Sequence, residues 1–117
     1  QQVDSIRCGL INLQNRIQAN GVTFFVILIA PDKLTAYADY ITDRDFTQIS
    51  RLDRLASDPG LHLPRVDLAL KKAIDAGVKD VYLPDDTHWG SAGYKIAADT
   101  LVEYLKEKGL LVERNQN

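Results

Sequence analysis

Val22-Thr23-Phe24-Phe25-Val26-Ile27-Leu28-Ile29 is the stretch on which the fold turns. It is β-branched and aromatic with no polar alternation, the pattern of a strand buried on both faces in a parallel sheet covered by helices. Pro31-Asp32-Lys33 ends it. Upstream, Ile6, Leu10, Leu13 and Ile17 recur at helical spacing, and Asn20-Gly21 supplies a stop, so a helix is expected from Asp4 to Ala19. Cys8 falls on that helix as a small core residue.

Downstream, Leu34–Ile41 and Asp45–Ala56 read as two short helices, and Asp58-Pro59-Gly60 as a turn. Pro64 suits the first position of a helix that turns Val66, Leu70, Ala73 and Ile74 inward and closes at Gly77. Val78 to Leu83 is a second short strand. Ser91 is the expected N-cap of a last helix striped by Tyr94, Ala98, Leu101 and Leu105 and ended by Gly109. Helix, strand, helices, strand, helix is an α/β order. With only a weak third strand at Leu110-Leu111-Val112, the sheet looks incomplete.

The chain has 117 residues, enough for one domain with a real core. Its net charge of -2 and scattered Lys and Arg argue against a nucleic-acid partner. No apolar run approaches the roughly 20 residues that span a bilayer, so no membrane span is expected. The start, Gln1-Gln2-Val3-Asp4, is not that of a signal peptide. The chain contains no methionine, which fits a processed chain or an excised segment.

The chemistry concentrates in Tyr82-Leu83-Pro84-Asp85-Asp86-Thr87-His88-Trp89-Gly90, a strand end, a turn and the approach to a helix. Open α/β sheets place active sites at strand ends. Residues two apart in an extended segment point the same way, so Asp86 can hold the His88 ring. In a turn, residues three apart can meet, which keeps Asp85 as an alternative. A carboxylate on one ring nitrogen leaves the other free to take a proton. Helix capping by these acids is the structural alternative. Trp89 could face a ligand or pack on the last helix. Asp32 and Lys33 end the first strand; if the strands are parallel, they share an edge with His88. Lys33 could then meet an anionic substrate group, or pair with Asp32.

Asp85, Asp86, His88 and His62 could supply metal ligands, but the spacing of a metal motif is missing, so neither metal nor cofactor is expected. His62, between two leucines, reads as structural. No nucleophile elbow occurs. Ser5, Ser50, Ser57 and Ser91 sit on helix faces, in a turn and at a cap.

The block Tyr82 to Leu105, with Asp85-Asp86-Thr87-His88-Trp89 and Ala92-Gly93-Tyr94, resembles the Asp-His block of SGNH/GDSL-type hydrolases. Its Asp-Thr-His-Trp wording is similar to the branch that includes alginate O-acetyltransferase-like proteins. Val26 to Lys33, with Tyr37 and Tyr40, resembles that branch too. The resemblance implies a three-layer α/β/α sandwich with a parallel sheet, flavodoxin-like, of which residues 1–117 form a single partial domain. It implies Ser-His-Asp acyl-ester chemistry with His88 as base and Asp86, or else Asp85, as its orienting acid. Lys33, Asp32 and Trp89 would then line the substrate site. A polysaccharide or acetylated carbohydrate substrate, a periplasmic or cell-envelope location, and a partner in the rest of the same domain follow by the same route. The family's Ser block, with its glycine and asparagine oxyanion donors, matches nothing here. The alternative is a non-catalytic carbohydrate-binding or assembly module on the same scaffold.

Overall fold

A computed structural model describes residues 1–42 and 50–112. Five helices carry them: α1 (Gln2–Gln18), α2 (Lys33–Ala36), α3 (Leu52–Leu55), α4 (Val66–Asp75) and α5 (Ser91–Glu107), with a 3₁₀ turn at Ala38–Tyr40. Residues 45–49 of the helix expected over Asp45–Ala56 lie outside the described residues, and Leu52–Leu55 is the helical remainder.

The expected three-layer sandwich is not what forms. Among the described residues there is no sheet, only an isolated antiparallel bridge between Tyr82 and Trp89. The run from Val22 to Ile29 forms no strand, and its backbone bonds go to single groups rather than to a ladder. Phe25 N–H donates to the Gln18 side chain at 2.8 Å, and Ile27 N–H to the His62 carbonyl at 2.8 Å. Nor is it buried on both sides. Ile27 and Ile29 pack inward on one face, while Leu28 is exposed and Val22 is 88% exposed. The missing polar alternation misled because an extended segment with two apolar faces spells the same whether or not strands flank it.

Two apolar clusters organise the molecule. In one, α4 turns Val66, Leu70 and Ile74 against Val81, Tyr82 and Ala97, with Ala36 of α2 beside them. Leu70, Val66 and Val81 are fully buried, each contributing about 1.5–3 kcal/mol of transfer free energy. The second gathers Leu55, Leu61 and Leu63 under Val3, Leu10 and Ile11 of α1 and Ile27 and Ile29 of the run from Val22 to Ile29.

The helix faces differ in detail from the expected stripes. On α1, Ile6 and Leu13 are exposed, and so is Cys8. The position turned fully inward is Gln14. Its amide donates to the Gly60 carbonyl at 2.6 Å and accepts from His62 N–H at 2.8 Å. A buried backbone without ladder partners needs such a substitute. On α5, Gly93 and Ala97 are the buried positions and Ile96 packs beside them, while Tyr94 is 58% exposed. The helix has two apolar faces, and contact with α4 selects the one with small residues. Gly90, not Ser91, is its N-cap.

Gly93 is required where α5 lies on the segment that precedes it. A Cβ there would collide with the Val81 carbonyl oxygen and the Trp89 side chain, and one at Gly90 with the Asp80 carbonyl. The helix start therefore lies directly on the 80–81 backbone, just where Asp80 adopts φ 57°. Gly77, at φ 80°, closes α4 as expected.

Candidate functional site: the Asp86–His88 loop

Residues 83–88 form a loop whose two ends are tied together. Leu83 N–H donates to the His88 carbonyl at 3.0 Å, and Gly90 N–H to the Val81 carbonyl at 3.0 Å. Asp86 N–H closes a turn onto the Leu83 carbonyl at 3.4 Å. The Asp86 carboxylate then folds back over residue 88. One oxygen, Oδ1, accepts from His88 N–H at 3.0 Å and lies 2.5 Å from His88 Nδ1.

The carboxylate that reaches the ring is thus that of Asp86; Asp85 lies next to it, exposed. A carboxylate oxygen can only accept, so Nδ1 carries the ring proton in this contact, and the lone pair of the neutral ring resides on Nε2. Among the described residues no side chain bonds Nε2. The side chains of His88 and Asp86 are 74% and 48% exposed, which leaves that nitrogen open to an incoming group. The hydrogen bond from the His88 ring, reinforced by the His88 backbone N–H, holds the Asp86 carboxyl below its ordinary range. The pair can accept a proton at Nε2 and stabilise the resulting imidazolium from Asp86.

Of three consecutive upstream residues, Lys33 reaches the loop directly, and Pro31 and Asp32 hold the backbone from which it extends. The Pro31 carbonyl accepts from the buried Tyr82 hydroxyl at 2.7 Å. The Asp32 carboxylate caps α2 by accepting from Thr35 N–H at 2.6 Å. Lys33 extends its ammonium into the loop, to the carbonyls of Leu83 at 2.6 Å, Pro84 at 2.9 Å and Asp86 at 3.1 Å. Parallel strands would have put Pro31-Asp32-Lys33 and the Asp-His segment at a common edge; among the described residues no such sheet forms, and Lys33 alone of the three reaches that segment. Trp89 packs against the first core cluster and meets Tyr94 edge-on, with ring centroids 5.5 Å apart.

The Tyr82 and Gly93 contacts were missed. Only the spacing Gly90-x-x-Gly93 hinted at a helix start lying close on backbone. His62 is structural as expected: it stacks on Phe24 at 4.2 Å, and its Nδ1 lies 3.0 Å from the Phe25 carbonyl. No group of three or more His, Cys, Asp or Glu poised for a metal occurs among the described residues. No helix among them is long and apolar enough to cross a membrane.

None of the four serines hydrogen-bonds His88. Ser5 bonds the Gln1 carbonyl, Ser50 accepts from Leu52 N–H, Ser57 meets Arg7 and the Arg54 carbonyl, and Ser91 opens α5.

A carboxylate-held imidazole is a pairing that acid–base sites use. Sequence comparison gives the chain a class consistent with it, the SGNH hydrolase-like domains. The model of one such family, described as the SGNH hydrolase-like domain of acetyltransferase AlgX, matches residues 2–117, and the chain belongs to that family. No curated protein and no solved structure matches it.

Proposed function

We propose that this chain supplies the base half of a Ser-His-Asp triad, in a carbohydrate esterase or polysaccharide O-acetyltransferase. The observation that carries the reading is the Asp86–His88 hydrogen bond, which leaves Nε2 open on an exposed loop of a chain from this family.

In this mechanism a serine supplied from outside residues 1–117 approaches His88 Nε2. The ring takes the hydroxyl proton as oxygen attacks the acetyl carbonyl, and Asp86 stabilises the imidazolium. Collapse expels the donor's alkoxide, which takes that proton and leaves an acetylated serine. Water or a sugar hydroxyl then gives its proton to Nε2 and attacks the acyl group. Acetate or an acetylated glycan is released, and the serine regains its proton. Hydrolysis and transfer share every step up to the identity of this second nucleophile. A polysaccharide substrate and a periplasmic or envelope setting accompany the proposal, because the family is described by an acetyltransferase of the AlgX type.

Acetyl-ester turnover in the protein, measured with His88→Ala beside the wild type, tests the reading. The variant is expected to fold normally and lose turnover. Full turnover in the variant contradicts the mechanism. Saturable polysaccharide binding that survives His88→Ala, with no acyl-enzyme in the wild type, replaces it with a non-catalytic binding module.

A further inference from the structure

We propose that Lys33 is a positioning residue for the Asp86–His88 pair, its ammonium fixing the turn from which the pair projects. The inference rests on the reading of that pair as an acid–base site.

An ammonium has three protons and no lone pair. Those of Lys33 meet three convergent acceptors, the carbonyls of Leu83, Pro84 and Asp86. With all three engaged, the group has no donor left for an anionic ligand, so its role lies in the loop. Among the described residues, every other hydrogen bond to residues 83–88 comes from within the loop or its immediate flank: Leu83 N–H to His88, Asp86 N–H to Leu83 and His88 N–H to Asp86. Lys33 is thus the tie that relates this loop to the rest of the fold.

The tie acts on the pair through one peptide unit. In a trans peptide the C=O and N–H point in opposite directions. Drawing the Asp86 carbonyl toward Lys33 therefore turns the Thr87 N–H the other way. That N–H is among the groups that favour the charged Asp86 carboxylate. Lys33 is in turn held at its own root, since Asp32 caps α2 at its first turn and the Pro31 carbonyl is bound by Tyr82. A side chain that touches no reacting atom but sets the base's angle should act on kcat and leave KM unchanged, because misplacement of about 1 Å can cost on the order of 100-fold in rate.

The test uses the protein with 15N-labelled histidine rings and turnover of 4-nitrophenyl acetate, in wild type, Lys33→Met and Lys33→Ala. The wild type should show a downfield His88 Nδ1 proton bonded to carboxylate. Lys33→Met should lose that signal, with kcat falling on the order of 10- to 100-fold at unchanged KM. In Lys33→Ala, added methylammonium can occupy the three-carbonyl site and should restore both signal and kcat. Tetramethylammonium, which has no N–H, should restore neither. Recovery of this kind is not open to a misfolded variant. A Lys33→Met protein with wild-type signal and kcat overturns the positioning role and leaves the pair standing. A wild type lacking the Nδ1 signal removes the pair itself and this inference with it.

Discussion

The Tyr82 hydroxyl donates to the Pro31 carbonyl at 2.7 Å, joining residues 51 apart in sequence inside the core. It is the buried end of the seam that Lys33 completes at the surface. Burial pushes the Tyr82 phenol above its ordinary value of 10.0. A raised acid is held neutral by the fold, so its contribution is fully present below pH 10 and is lost as pH rises through the higher folded value. Tyr82→Phe should cost about 1–3 kcal/mol by leaving the Pro31 carbonyl unpaired. Thermal melts on either side of pH 10 should show a steeper alkaline loss in the wild type than in the variant.

Gly93 permits α5 to lie on the Val81 backbone. Gly93→Ala should destabilise by about 1–3 kcal/mol, the usual range for overpacking. The same change at Gly9, where nothing lies within 4 Å of a new Cβ, should not destabilise, and in mid-helix should gain up to about 1 kcal/mol. Urea midpoints of the two variants give the comparison directly.

Gln14 satisfies the Gly60 carbonyl and the His62 N–H from inside the second cluster. Gln14→Leu should therefore destabilise, although it adds apolar volume to a core, by about 1–3 kcal/mol for each orphaned group. A stabilised Gln14→Leu variant in chemical denaturation would count against this account of α1.

Asp86 and Asp85 should separate by function. Asp86→Asn removes the acceptor that fixes the ring tautomer and should reduce kcat by up to roughly 10⁴-fold, as such changes do in triads. Asp85→Asn should leave kcat near wild type. The Asp86 carboxyl is depressed from 3.8, so its contact is present above that value and is lost as pH falls below it.

The sequence made the helices and their ends legible where a single face and a stop residue agreed, as in α4 (Val66–Asp75), closed by Gly77. It failed where two apolar faces compete. The stripe through Tyr94 and the one through Gly93 and Ala97 share one helix, and only the neighbour decides between them. It failed also on the sheet, because the strand spelling of Val22–Ile29 specifies an extended backbone and not a pairing partner. Gln14 was illegible for a related reason: its burial depends on unpaired carbonyl and N–H groups some 46–48 residues away. The Asp86–His88 contact was legible because it is local, two residues apart on one loop.

The central claim is that His88 serves as base for a nucleophilic serine. Treating the protein with a fluorophosphonate probe and mapping the adduct by mass spectrometry, in wild type and His88→Ala, tests it most directly. The account predicts a labelled serine outside residues 1–117 whose labelling is lost in the variant. Equal labelling of the same serine in both proteins, or no adduct in a folded wild type, would contradict it.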